Sequence, residues 1–135
     1  MTKQTKKVAK NSFIIPIFNQ KVEIFIGPLK NVQSLWDKED YFLDIPDNAD
    51  GACFGLNDCI GLWFEANPKI SIIVHECCHV VYEVMRSRGL NMEDEEMFCY
   101  LQEYIVDNVL KCVKRMLPTV TDRTNQKSKQ EVDPQ

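Results

Sequence analysis

The sequence lacks a hydrophobic run long enough to cross a membrane, and it lacks an export signal. Its first apolar stretch, FIIPIF at residues 13–18, is short, contains Pro16 and continues directly into the polar NQK. A membrane span needs about 20 apolar residues, and a signal peptide needs an uninterrupted apolar centre. We therefore expect a cytoplasmic protein that has no membrane partner.

Clustered positive charge is also missing from the body of the chain. Residues 1–11 contain four lysines and no acid, and residues 119–135 contain three acids and three bases. Because the chain's net charge is −4, residues 12–118 carry −8. Such an acidic body lacks the basic surface that nucleic-acid binding needs, so nucleic acid is not an expected partner.

The length of 135 residues suits one domain. We place it at residues 12–118, between a basic N-terminal tail at 1–11 and a disordered C-terminal tail at 119–135.

The six cysteines lack the paired CxxC spacing of cysteine-based zinc sites, and without an export signal they are not expected to form disulfides. We expect most of them to fill the core as small hydrophobic side chains. Cys77 points about 200° away from His75 on a helix and is predicted to be core, whereas Cys78 lies nearer the histidines.

Two predicted strand pairs flank a short helix. Residues 12–28 read as two strands with a turn at 19–21, and the apolar spacing in residues 29–42 indicates a helix. The segments ACFGL and IGLWFE form the second pair, joined by a turn at Asn57 and Asp58.

Two long helices follow. The first is predicted at about 68–88, with Asn67 as its N-cap and Gly89 just beyond its end. The second is predicted at 91–117 and should end at Pro118. The fold class is therefore α+β, with a small antiparallel sheet packed on two long helices.

Both histidines of the chain lie in one short motif, HECCH at residues 75–79. On a helix, His75 and His79 project from the same side one turn apart, close enough to hold one ion. Glu76 lies about 100° further round, where it can take a proton from a metal-activated water. Two imidazoles and one carboxylate leave an open tetrahedral position, so Zn²⁺ is the expected cofactor.

Two histidines at this spacing can also arise by chance or face solvent. Here, however, the surrounding segment is apolar, whereas a solvated helix face would be richer in charge. We therefore favour the metal-binding interpretation.

A third ligand must come from outside the motif, because no histidine remains. The run NMEDEEMFCYLQEY on the second long helix supplies several carboxylates. Periodicity places Glu95 nearer the apolar stripe and Glu96 on the side of Cys99 and Glu103. The residue pattern alone leaves both Glu95 and Glu96 open.

The HECCH motif, followed by a helix with Glu-x-x-small, resembles the gluzincin class of zinc metallopeptidases, particularly minimal and phage-encoded peptidase-like forms. The resemblance implies that His75 and His79 are metal ligands and that Glu76 is the general base. In EMFCY it makes Glu96 the third ligand. Cys99 stands where such patterns usually have alanine, which lets the helices approach.

The resemblance covers residues 60–110, and it also implies an antiparallel strand beside the active helix that receives substrate backbone. GLWFE is the candidate for this edge strand, although it would serve equally well as a core strand. Four side chains could stabilise an oxyanion, and the sequence does not select among them: Tyr82, Arg86, Tyr100 and Tyr104.

The sequence therefore predicts a zinc-dependent metallohydrolase, a peptidase that acts on a peptide or protein substrate. The alternative is a catalytically inactive metal-binding or interaction protein that retains the HExxH helix as a scaffold.

Overall fold

The elements follow the predicted order. The computed structural model describes residues 8–37, 45–56 and 58–120. Within them the elements are β1 Ala9–Ile15, β2 Gln20–Ile26, α1 Leu29–Asp37, β3 Gly51–Gly55, β4 Cys59–Phe64, α2 Ile70–Ser87 and α3 Glu95–Val120. The α+β class is confirmed. Outside the described residues lie 1–7 and 121–135 of the predicted tails, 38–42 of the predicted first helix, and Asn57.

The sheet is mixed, so the prediction of a wholly antiparallel sheet is wrong. Its strand order is β1-β2-β4-β3, with antiparallel β1–β2 and β3–β4 pairs and a parallel β2–β4 pair. Between β2 and β4 the chain passes through α1 and β3, and a crossover of this kind is what parallel neighbours require. Because β3 is the edge strand, β4 lies between β3 and β2 and runs parallel to β2.

Both faces of the central strands are covered, which explains why β2 and β4 have almost continuous apolar sequences. Ile24 and Leu62 belong to the core that the sheet shares with α2 and α3. Phe25 and Trp63 point to the other face, where they pack with residues of α1. The two long helices therefore cover one face, as predicted, while α1 covers the opposite one.

One charged side chain is buried on the α1 face of β2. Glu23 is 8% exposed, with Lys10 Nζ 2.5 Å from its Oε1, and Cys59 Sγ donates a hydrogen bond to its Oε2 at 3.4 Å. Burial raises the pKa of Glu23, but the hydrogen bonds from Lys10 and Cys59 and the charges of Lys10 and Lys21 outweigh it. The net pKa lies below the ordinary 4.5.

The start of α2 differs from the prediction. Its N-cap is Lys69, which has extended backbone angles, and the helix begins at Ile70. Asn67 instead has a positive φ of 58°, a conformation that asparagine tolerates better than most residues. Asn67 therefore belongs to the turn that precedes the helix, and the prediction that it caps α2 is wrong.

The hairpin between the long helices has its own caps. Gly89 follows α2 with φ 66°, as its predicted position suggests. Asp94 caps α3, because its Oδ1 accepts the backbone N–H of Met97 at 3.1 Å. Pro118 lies inside α3, which continues to Val120, so the prediction that it ends the helix is wrong. Proline removes one backbone donor, a small loss this close to the helix end.

Candidate metal centre

The two histidines form a pair on the outer side of α2. Their ring centroids are 5.1 Å apart, with 73° between the ring planes. The side chain of His75 is 66% exposed. On the opposite side of the helix, Cys77 and Val84 are fully buried, which confirms that Cys77 is core. The apolar stripe that anchors α2 in the core thus turns both imidazoles outward, as helix geometry predicts.

Glu76 projects to the side of α2 that faces β3. It is 8% exposed, and its Oε1 lies 3.8 Å from His75 Nε2. Burial raises its pKa, and electrostatic interaction with His79 and His75 offsets only part of this rise. A carboxyl group with a raised pKa is better matched to proton transfer near neutral pH. Because the pKa of Glu76 is higher in the folded protein than in the unfolded chain, ionisation of this group lowers the stability of the fold as the pH rises above the ordinary value of 4.5.

The glycine opposite makes room for Glu76. A Cβ built on Gly51 would lie 3.3 Å from Glu76 Cγ and 3.0 Å from Ile72 Cγ2. The strand therefore approaches α2 at a distance that a side chain at position 51 would disturb.

A cleft of about 680 Å³ opens between β3 and α2. Its walls are residues 52–55 and Ile60 on the sheet side, and Glu76, His79, Tyr82, Glu83, Arg86 and Met92 on the helix side. Strand alternation gives β3 only small residues toward α2, namely Gly51, Cys53 and Gly55. These small residues leave the space that the cleft occupies.

The edge strand beside α2 is β3, so the prediction that GLWFE forms this edge is wrong. That segment belongs to β4, which lies between β2 and β3. Leu62 and Phe64 are fully buried in the main core, as expected for a core strand. Because the β3–β4 hairpin places its first strand outermost, the free backbone edge next to the histidines comes from residues 51–55.

The cleft also contains a thiol and an ion pair. Burial, followed by the negative charges of Glu76 and Glu83, raises the pKa of Cys53 to about 12, so this side chain is a neutral thiol near pH 7. Arg86 Nη2 donates a hydrogen bond to Glu83 Oε2. The charge of Glu83 is therefore partly balanced by its neighbour on the same helix.

The first turn of α3 carries both candidate third ligands, Glu95 and Glu96, and both are exposed. Within the described residues, no three His, Cys, Asp or Glu side chains form a group that could hold a metal ion. The structure therefore brings His75 and His79 together, but it does not complete a triad with Glu96.

An aromatic contact explains the position of Glu96. The rings of Tyr82 and Phe98 are 5.2 Å apart, which sets Phe98 level with Tyr82 across the α2–α3 hairpin. Because the helices of a hairpin run in opposite directions, Glu96 lies nearer the level of Val84 than that of His79. The level of Val84 is roughly 7 Å along the axis from His79, at 1.5 Å per residue.

The part of the site that comes from β3 was not predicted from the sequence. The signal was present in GACFG, where the small residues Gly51, Cys53 and Gly55 alternate on one face of a predicted strand. Glycine within a strand often marks a place where another group approaches closely. Glu83 was missed as well, although it lies one turn after His79.

Comparison of the chain with protein-family models, curated proteins and solved structures finds no match. Among the described helices, none combines the length and the apolar character needed to span a bilayer.

Proposed function

We propose that the protein is a zinc-dependent peptidase of gluzincin type, in which His75 and His79 hold the ion and Glu76 is the general base. The observation that carries this proposal is the placement of Glu76. Its carboxylate is buried at the wall of an open cleft, 3.8 Å from His75 Nε2 and beside the outward-facing histidine pair. A buried carboxylate next to two exposed imidazoles is an arrangement suited to proton transfer at a metal.

The donor chemistry of the pair fits zinc. Imidazole nitrogens are common zinc ligands, and the two rings lie one turn apart on a well-packed helix. A catalytic zinc site uses three protein ligands. In the proposal Glu96 is the third, and metal binding must bring its exposed carboxylate from the first turn of α3 to the pair.

The chain's own residues supply the proton transfers and the substrate-binding edge. When bound, zinc would activate water and polarise a peptide carbonyl. Glu76 takes a proton from the attacking water and returns it to the leaving amine. The outer edge of β3 offers backbone groups with which an extended peptide can pair, so that its carbonyl passes Glu76 and His79.

The test is peptide hydrolysis by zinc-loaded protein, with Glu76→Gln as the diagnostic variant. We expect the wild type to cleave an unfolded substrate such as casein, and the variant to lose about 100-fold or more of the rate while retaining zinc. Glu93→Gln, in the exposed turn between the long helices, is the matched control and should keep full activity. A wild type without activity, or an active Glu76→Gln variant, would contradict the proposal.

The second candidate is a metal-binding interaction protein that does not catalyse hydrolysis. The absence of a preassembled triad among the described residues favours it, as does the 67% exposure of Tyr100 on α3. Under this alternative, Glu76→Gln leaves the cellular effect of the protein intact. Under the peptidase proposal, that effect disappears although zinc remains bound.

A further inference from the structure

The end of the cleft beyond His79 contains an arginine with unused hydrogen-bond donors. Arg86 lines the cleft, its side chain is 74% exposed, and Nη2 bonds to Glu83. Among the residues that the structure describes, the guanidinium has no other hydrogen-bond partner. Since a guanidinium carries five donors in a rigid plane, the bond to Glu83 orients Arg86 and leaves most of its donors free.

Arg86 lies at a defined distance from the paired histidines. It is seven residues after His79, which places it on the same side of α2 and about 10 Å further along the axis. In extended chain, about 10 Å corresponds to three residues.

The cleft follows the same direction along β3. Gly51 lies beside Ile72 and Glu76, and the following residues of β3, up to Gly55, line the cleft together with Glu83 and Arg86. The strand therefore runs parallel to α2, from the level of Glu76 toward Arg86. A peptide that pairs with β3 in the antiparallel sense passes Arg86 first and Glu76 afterwards.

We propose that Arg86 selects peptide substrates with an acidic side chain about three residues before the cleaved bond. This inference rests on the proposed peptidase function and names a substrate class for it. A carboxylate can accept two parallel hydrogen bonds from a guanidinium, whereas a lysine at the same place meets positive charge. Two other charged groups line the cleft. Glu83 is bonded to Arg86 and offsets part of its charge, so recognition of the acidic side chain depends on the remaining guanidinium donors. Glu76 lies ten residues before Arg86, about 15 Å along the axis of α2.

The test uses alanine- and leucine-rich decapeptides that carry one glutamate, glutamine or lysine at successive positions. Mass spectrometry of the products identifies the cleaved bond. For zinc-loaded wild type we expect kcat/KM about 10-fold higher with glutamate than with glutamine three residues before that bond, the size of one charge-assisted hydrogen bond. Arg86→Glu should reverse the preference toward lysine. Arg88→Glu makes the same charge change outside the cleft wall and should behave as wild type.

A binding measurement separates failure of this inference from failure of the peptidase proposal. Fluorescein-labelled versions of the same decapeptides are titrated with Glu76→Gln and with the Glu76→Gln, Arg86→Glu double variant, and anisotropy is recorded. We expect the single variant to bind the glutamate peptide more tightly and the double variant to bind the lysine peptide more tightly. Cleavage without an acidic preference overturns the role of Arg86 alone. If no peptide is cleaved, the binding measurement decides. Equal binding of all peptides, or no binding of any, then also overturns the role of Arg86.

Discussion

Replacement of Gly51 by alanine tests the position of Glu76 without changing a metal ligand. The new Cβ would lie 3.0 Å from Ile72 Cγ2, 3.2 Å from Phe64 Cδ1 and 3.3 Å from Glu76 Cγ. Carbon atoms in contact prefer about 3.5–4.0 Å, so the neighbours must move by a few tenths of an ångström. Phe64 is fully buried, whereas Ile72 and Glu76 both project from α2 toward Gly51, so these two side chains take up the movement. Glu76 is therefore displaced together with Ile72.

The stability effect of Gly51→Ala should be small. Overpacking costs about 1–3 kcal/mol, while reduced freedom of the unfolded chain returns about 0.4–1 kcal/mol. The free energy of unfolding should therefore fall by about 1 kcal/mol. The effect on catalysis should be larger, because a misplacement of about 1 Å can cost 100-fold in rate. A shift of a few tenths of an ångström should lower kcat/KM roughly 5- to 10-fold.

The assay combines urea unfolding, zinc binding and peptide hydrolysis for the same variant. We expect near-normal zinc affinity with reduced hydrolysis, because the substitution reaches Glu76 and not the imidazoles. Gly55→Ala is the control for an added methyl group on the same cleft wall, since a Cβ there meets nothing within 4 Å and cannot displace Glu76. Full activity of Gly51→Ala, or an equal loss in both variants, would show that hydrolysis does not depend on the contact between Gly51 and Glu76.

Three further predictions concern the sheet and the thiols. Gly61→Ala should destabilise the fold by about 2–4 kcal/mol in urea unfolding, because its Cβ would lie 2.1 Å from the Phe54 ring; a loss below about 0.5 kcal/mol would contradict this. Because the pKa of Glu23 is lowered in the folded protein, its ionised form stabilises the fold. This stabilisation is fully present above the ordinary pKa of 4.5 and is lost as the pH falls through the folded-state pKa. Glu23→Gln should therefore flatten the pH dependence of stability between about pH 5 and pH 3, and an unchanged slope would count against the ion pair. Near neutral pH, iodoacetamide should alkylate exposed Cys99 well before Cys53, whose pKa is about 12. Equal alkylation rates of the two cysteines, measured by peptide mass mapping, would contradict this.

The helix that carries the histidines could be predicted because its signals are local. An apolar stripe at helical spacing fixes both the existence of α2 and the direction of each side chain on it. The buried Cys77 and the outward His75 and His79 follow from that spacing alone. Strand identity was likewise local, since alternation and turn residues are read within a few positions.

The sheet order and the third ligand depend on contacts between distant parts of the chain. Nothing within GLWFE shows that it pairs with β2 on one side and β3 on the other, because both faces of β4 are apolar. The level of Glu96 relative to His79 depends on the turn at residues 88–94 and on the Tyr82–Phe98 contact. Periodicity gives the direction of a side chain around its own helix and carries no information on the register between two helices.

Equilibrium dialysis with elemental analysis measures whether His75 and His79 together bind zinc. We expect about one equivalent of tightly bound zinc in the wild type. His79→Ala should lose that zinc, and Glu96→Gln should bind it more weakly, with unchanged circular dichroism in both. If the wild type takes up no zinc, or if zinc uptake is unchanged after both histidines are replaced by alanine, the histidine pair is not a zinc site.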